Sequence, residues 1–298
     1  MNVEYYKELS HELNRDMEFK VYGHTGIPCL VFPAQNGRFY DFENFGMIDA
    51  AHEYVDAGRI QFFCCDSIDN ETWSNVDGNP RERMEQHERY YHYIIDELIP
   101  RIQEISTYAN SGKEPHDMMT CGCSLGAFHA LNFFLRRPDL FNRVLAMSGL
   151  YHADYFFHDY HDELTYRNSP SDYLPNMPQD HPYMELYRNS EIVLCCGQGA
   201  WEQEMENSMH QMEAIFADKH IDVWIDFWGY DVSHDWYWWK KQIDYFCSLW
   251  YRDLFIRSFF RKTAANRKPS ASTSGYRICI WFICKSWLLQ SILVIFIY

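Results

Sequence analysis

Basic residues are scarce in the first 250 positions of this 298-residue chain, where 18 Lys and Arg stand against 41 Asp and Glu; the last 48 positions carry eight basic residues and one Asp. A body with that much negative charge repels nucleic acid and anionic lipid, so a small or neutral molecule is the expected partner. None of the ten cysteines forms a C-x-x-C pair, which argues against the common zinc and dithiol redox arrangements. Cys64-Cys65, Cys121/Cys123 and Cys195-Cys196 lie instead in apolar runs, where a thiol behaves as a small hydrophobe. The opening MNVEYYKELSHELNRD has no apolar stretch to serve as a secretory signal, and a reducing, cytoplasmic location is expected. Metal-ligand spacing is missing too. The string HADYFFHDYHDE (His152, Asp154, His158, Asp159, His161, Asp162) is rich in donors but has no helical or finger spacing, and reads as an aromatic pocket wall or solvated loop. Neither a metal nor an organic cofactor is expected.

What the chain does have is apolar and aromatic material, 47% and 18% of its residues, enough to fill the core of one large α/β domain or two small ones. Its organising stretch is Asp117 to Gly126, DMMTCGCSLG. An apolar run stops at Gly122-Cys123-Ser124-Leu125-Gly126, and a helical pattern follows from Ala127 to Arg137. The G-x-S-x-G spacing sets a serine at the apex of a sharp strand-to-helix turn, with glycine two residues to either side where the backbone has no room. The helix start then aims its positive end, and the free N–H of Leu125, at whatever binds above Ser124.

Strands and helices alternate around this turn. Met17 to His24 and Cys29 to Phe32, joined through Gly26-Ile27-Pro28, read as a hairpin feeding the sheet. Pro33-Ala34-Gln35-Asn36-Gly37-Arg38 follows as a loop at a strand's carboxyl end, where open α/β sheets bind ligands. Phe45 to Ala57 reads as helix, Arg59 to Asp66 as a strand buried on both faces, and Arg81 to Ile105 as a long helix. Strands are expected again at Arg143 to Ser148, Glu191 to Cys196 and Asp222 to Trp228, with a helix over Trp201 to Lys219. That rhythm predicts a mostly parallel central sheet covered on both faces. Leu150 to Asn189 breaks it with four prolines and little periodicity, and reads as an inserted, lid-like segment over the active edge, with Tyr151, Tyr155, Phe156 and Phe157 suited to an aromatic or acyl group.

A serine hydroxyl attacks only when a base takes its proton, and the base needs an acid to orient it. In α/β-hydrolases the order is Ser, acid, His, with the acid after the strand two beyond the turn and His after the last strand. Glu191 to Cys196 is followed by Gly197-Gln198-Gly199-Ala200-Trp201-Glu202, and Asp222 to Trp228 by Gly229-Tyr230-Asp231-Val232-Ser233-His234. His234 is therefore the expected base and Glu202 the first choice of acid. Glu204 is a weaker rival, Asp231 lies too near His234 in the chain, and Asp235 fits a helix cap.

GCSLGAFHA around Ser124, GQGAWE around Glu202 and WGYDVSHDWYWW around His234 resemble the Putative esterase family of α/β-hydrolases, which includes esterase D-like and feruloyl-esterase-like enzymes. The resemblance covers residues 1 to about 257. It implies an α/β-hydrolase three-layer sandwich and a serine-dependent carboxylic ester hydrolase with Ser124, Glu202 and His234 as its triad. Many relatives carry a His-Gly pair in the first oxyanion loop; this chain has Phe32-Pro33-Ala34-Gln35-Asn36-Gly37, and the backbone N–H of Gln35 is nominated to join that of Leu125. An acyltransferase using the same acyl-enzyme and a silent binding protein on the same fold are the alternatives.

Residues 258–276 form a basic, Ser/Ala-rich linker by composition, and 277–298 a largely apolar tail interrupted by Lys285, Ser286, Gln290 and Ser291. The tail is long enough to cross a bilayer, although a charge within it costs about 2.5 to 3.5 kcal/mol. It reads equally as a membrane tether or as an extraneous end without a role.

Overall fold

A computed structural model of the chain describes residues 1–252; the expected linker and tail, and the last few residues assigned to the body, lie outside the described residues. In chain order come β1 (Val3–Ser10), β2 (Arg15–Tyr22), β3 (Ile27–Phe32), α1 (Asp41–Asn44), α2 (Met47–Ala50), α3 (His52–Asp56), β4 (Ile60–Cys65) and α4 (Pro80–His92). A π-helical turn (Tyr93–Leu98) leads into α5 (Ile99–Ala109), then β5 (Met119–Cys123), α6 (Leu125–Arg136) and β6 (Arg143–Met147). The segment 150–189 supplies α7 (Asp154–Phe157), α8 (Glu163–Arg167), α9 (Pro170–Asn176) and α10 (Pro182–Arg188). β7 (Glu191–Cys196), α11 (Gln203–Asp218), β8 (Trp224–Phe227) and α12 (Trp236–Arg252) complete it.

The strands form one sheet in the order β1-β2-β4-β3-β5-β6-β7-β8. β1 and β2 are antiparallel to their neighbours, and from β4 onward every pairing is parallel. The central strands are apolar on both faces because helices cover both. Leu30 and Phe32 of β3 pack towards α4, α5, α6 and α11, while Cys29 and Val31 pack towards α1, α2, α3 and α12. The expected cysteine-rich runs are core strands, and all eight cysteines in the described residues are buried free thiols.

Three sequence expectations are corrected. The predicted hairpin of β2 with β3 does not form. β4 is buried at every position and needs a neighbour on each edge, so β2 pairs with it from one side (Phe19 opposite Cys65) and β3 from the other (Val31 opposite Cys64). The chain passes over the start of β4 at Gly26, where a Cβ would lie 2.5 Å from the carbonyl carbon of Arg59. The hairpin present is β1 with β2, turned at His11 to Asn14, where Asn14 has φ 52°. Second, the helix expected over Phe45 to Ala57 is broken into short pieces, with Gly46 in the left-handed region (φ 80°) between α1 and α2.

Third, Tyr151, Phe156 and Phe157 are buried and not free to line a pocket, whereas Tyr155 is exposed. Phe156 and Phe157 pack edge-on against Trp73, which also meets Phe128 of α6. Arg83 secures this contact by donating to the carbonyls of Thr72, Trp73 and Phe156 while lying 4.1 Å over the Phe157 ring. Asp162, one of the donor-rich string's acids, caps α8 through the N–H groups of Leu164 and Thr165. The long helix expected over 81–105 is continuous, but its middle is π-helical. Pro100 has no N–H to give the Asp96 carbonyl, and the wider turn absorbs that defect.

Candidate active site

Every segment of interest lies at the carboxyl ends of the parallel strands. β5 ends at Cys123, and Ser124 follows with φ 57° and ψ −125°, a conformation that non-glycine residues adopt only when the surroundings impose it. Here they do. A Cβ on Gly122 would lie 2.2 Å from the Gly126 carbonyl oxygen, and one on Gly126 would lie 2.4 Å from that of Phe32. Both positions must be glycine, and the Ser124 N–H is held by the Met147 carbonyl at 2.9 Å. The serine side chain is thereby pushed clear of the sheet at the start of α6.

Two loops bring the remaining groups to it. The loop after β7 and the loop after β8 lie backbone against backbone: Gly199 N–H donates to the Val232 carbonyl at 2.9 Å, and His234 N–H to the Ala200 carbonyl at 3.0 Å. Side chains at Gly197 or Gly199 would forbid this, since their Cβ atoms would meet the Val232 oxygen at 2.0 and 2.7 Å. The result spans 110 residues of sequence: His234 Nε2 stands 2.9 Å from Ser124 Oγ. Glu202, fully buried, brings Oε2 to 3.5 Å from His234 Nδ1, ion-pair distance outside hydrogen-bond alignment.

The rival acids are elsewhere. Glu204 and Asp231 are exposed. Asp235 accepts the N–H groups of Tyr237 and Trp238 and so caps α12. Leu125 stands at the first turn of α6, where its N–H has no partner among the described residues, as expected at a helix start. Gln35 lies in the β3–α1 loop, whose Pro33 carbonyl presses on Gly126; its Nε2 donates to Ser74 Oγ at 2.9 Å, and its backbone N–H is likewise unengaged. Arg38, the cation on this loop, is bound by Asp66 at 2.7 Å and Glu18 at 2.9 Å, and the hydrogen bond to Asp66 holds its pKa above the usual value.

Two residues near the acid carry no mark in the sequence. Ser148, at the end of β6 with φ 56°, donates from Oγ to Glu202 Oε1 at 2.6 Å. Trp239 of α12 donates from Nε1 to Ser148 Oγ at 3.0 Å, and its ring meets the His234 imidazole edge-on with centroids 4.9 Å apart. A serine closing a strand reads as any turn serine, and nothing in WYWW distinguishes one indole from the next.

A largely parallel sheet between two helical layers, with a serine at a glycine-flanked turn facing a histidine and a buried carboxylate, is the α/β-hydrolase fold. The chain belongs to the Putative esterase family, whose model matches residues 10–245. It is a carboxylic ester hydrolase. Among solved structures it is similar to a ferulic acid esterase (TM-score 0.64, 16% identity, 83% of this chain and 96% of that one). It is also similar to an S-formylglutathione hydrolase from Agrobacterium tumefaciens (TM-score 0.60, 15% identity, 81% and 91%). A fluorophosphonate-binding serine hydrolase of Staphylococcus aureus aligns with TM-score 0.58 and 12% identity over 83% and 97%. No curated protein sequence matches the chain. Among the described residues, no helix is long and apolar enough to cross a membrane.

Proposed function

We propose that the chain hydrolyses small, uncharged carboxylic esters through an acyl-enzyme on Ser124. The observation that carries this reading is the 2.9 Å approach of His234 Nε2 to Ser124 Oγ. At that distance the imidazole takes the hydroxyl proton as Oγ bonds to the ester carbonyl carbon. The carbonyl oxygen gains the negative charge, and the backbone N–H groups of Leu125 and Gln35 hold it. Collapse of the tetrahedral species expels the alcohol, which leaves with the proton carried by His234. Water then enters, gives a proton to His234 and attacks the acyl carbon, and the acid departs as Ser124 recovers its proton. The Glu202 carboxylate beside Nδ1 stabilises the imidazolium formed at each transfer.

The substrate class follows from charge. The acidic body repels anionic esters, and Arg38 is already committed to two carboxylates, so it offers no free anchor for one. The domain is taken to run over residues 1–257, with 150–189 as its insertion. Buried free thiols suit a reducing compartment, and we place the protein in the cytoplasm.

The test is labelling by a fluorophosphonate, together with a panel of short-acyl, long-acyl and feruloyl esters. Wild-type protein should be labelled at Ser124 and turn over uncharged esters, and Ser124→Ala should do neither. Labelling at another residue, or unchanged turnover by Ser124→Ala, would refute the reading.

A further inference from the structure

Glu202 is buried, and one of its oxygens has a closer partner than His234: Oε1 meets Ser148 Oγ at 2.6 Å, whereas Oε2 is 3.5 Å from the imidazole. The direction of the proton on Ser148 can be worked out from its neighbours. An indole N–H only donates, so at the 3.0 Å contact with Trp239 Nε1 the Ser148 oxygen must be the acceptor. Its single proton is then left for Glu202. That bond pins Oε1 and leaves Oε2 turned towards the imidazole. With Oε2 3.5 Å from His234 Nδ1, the carboxylate draws the imidazole proton to Nδ1 by charge and leaves Nε2 with the lone pair facing Ser124. The same indole touches the other end of this chain, since its ring packs edge-on against the His234 imidazole.

We propose that Ser148 and Trp239 are positioning residues that together hold the Glu202 carboxylate beside His234 Nδ1 and so keep the imidazole in the tautomer able to deprotonate Ser124. The assignment rests on the serine-hydrolase reading above. The backbone at Ser148 supports it. The residue holds φ 56° at the end of a core strand, a conformation glycine would adopt at less cost, and what the serine adds is a hydroxyl wholly enclosed between an indole and a carboxylate.

Two variants isolate the effect. Ser148→Gly suits the positive φ and deletes the hydroxyl; Trp239→Phe keeps a ring against His234 and deletes the N–H. The readouts are kcat and KM on an ester the wild type accepts, the melting temperature, and the far-downfield proton NMR signal of the His234 Nδ1–H, assigned by its absence in His234→Ala. In Ser148→Gly, kcat should fall roughly 10- to 100-fold, as for loss of groups that orient a functional ligand. KM should stay within about twofold and the downfield signal should move or vanish. Trp239→Phe should change the same quantities in the same direction. A folded Ser148→Gly whose downfield signal and kcat match wild type would overturn the proposal, and so would a Trp239→Phe protein unchanged in both should the first variant fail to fold. The NMR comparison needs no substrate, so wild-type protein that hydrolyses no ester would count against the esterase reading while the signal still decides the positioning roles.

Discussion

Gly126 and Phe32 meet so closely that a Cβ added to the glycine would lie 2.4 Å from the Phe32 carbonyl oxygen and 2.5 Å from that of Pro33. The start of α6 therefore rests directly on the loop that carries Gln35, and one contact fixes the relation between the turn at Ser124 and the second nominated oxyanion donor. Gly126→Ala must push these backbones apart. Overpacking of this kind costs about 1 to 3 kcal/mol, and displacing a reacting group by an ångström costs on the order of 100-fold in rate. Thermal unfolding should show a lowered melting temperature, and kcat should fall far more than stability alone explains. A variant with wild-type kcat would show that the contact does not set the geometry.

The three rival carboxylates separate from Glu202 by burial. Glu202 is enclosed, whereas Glu204 and Asp231 face solvent and Asp235 is spent on the first turn of α12. Glu202→Gln should lower kcat at least 100-fold, because an amide cannot stabilise the imidazolium. Glu204→Gln and Asp231→Asn should stay within about twofold. Asp235→Ala should lose about 1 kcal/mol of stability as a missing helix cap, with its activity largely intact. Denaturant midpoints and initial rates measured in parallel would reveal a misassigned acid as a large rate loss without a stability loss.

How much of this could be read in the sequence depends on whether the signal was local. β4, β5, β7, α6 and α11 stand close to their expected bounds because strands buried on both faces leave short unbroken apolar runs, the glycine-flanked turn marks the start of α6, and α11 repeats its apolar side chains at helical spacing. β1 leaves none. It is an edge strand, exposed at nearly every position, so no alternation marks it, and without it the partner of β2 was misassigned. That Ser124, Glu202 and His234 come together was legible because the fold imposes their order along the chain. Ser148 and Trp239 were not, since what distinguishes them is a proton direction between residues 91 positions apart. The aromatics of the insertion misled for a similar reason: composition counts Phe156 and Phe157 but cannot say that Trp73 covers them.

Acid sensitivity should trace to His87. Burial, with His129 beside it, lowers its pKa from the ordinary 6.5 to about 3, and its Nδ1 accepts the Trp73 Nε1–H at 3.0 Å, a bond only the unprotonated nitrogen can make. The unfolded chain takes up this proton near pH 6.5 and the folded one does not. The stabilisation is therefore complete above about 6.5 and is lost as pH falls towards 3, at about 1.4 kcal/mol per pH unit. His87→Gln, whose amide oxygen can still accept from Trp73, should flatten the dependence of unfolding free energy between pH 6.5 and 4.5. Equal slopes in the two proteins would assign the acid loss to other groups.

α6 is joined to the insertion through charge as well as through Trp73. Glu88 of α4 receives both Nη groups of Arg136 on α6, at 2.8 and 3.0 Å, and the Asn168 amide after α8 at 2.7 Å; Arg136 also lies 3.5 Å over the Tyr91 ring. Burial opposes ionisation of Glu88, but Arg136 and Asn168 outweigh it and bring the pKa down from 4.5 to about 2. Its contribution is present above pH 4.5 and disappears as pH falls through 2. Glu88→Leu alone leaves the largely buried Arg136 without a counter-charge and should cost about 3 to 5 kcal/mol, as should Arg136→Met. Combined, the two substitutions remove both charges and should recover most of that loss, because the attraction between the ions is largely spent on desolvating them. A denaturant double-mutant cycle measures the difference. If the two losses simply add, the pair is not a coupled unit, and α6 is held to the insertion by Trp73 with its surrounding rings and by the hydrogen bonds of Asn132 with Asn168 and Tyr173.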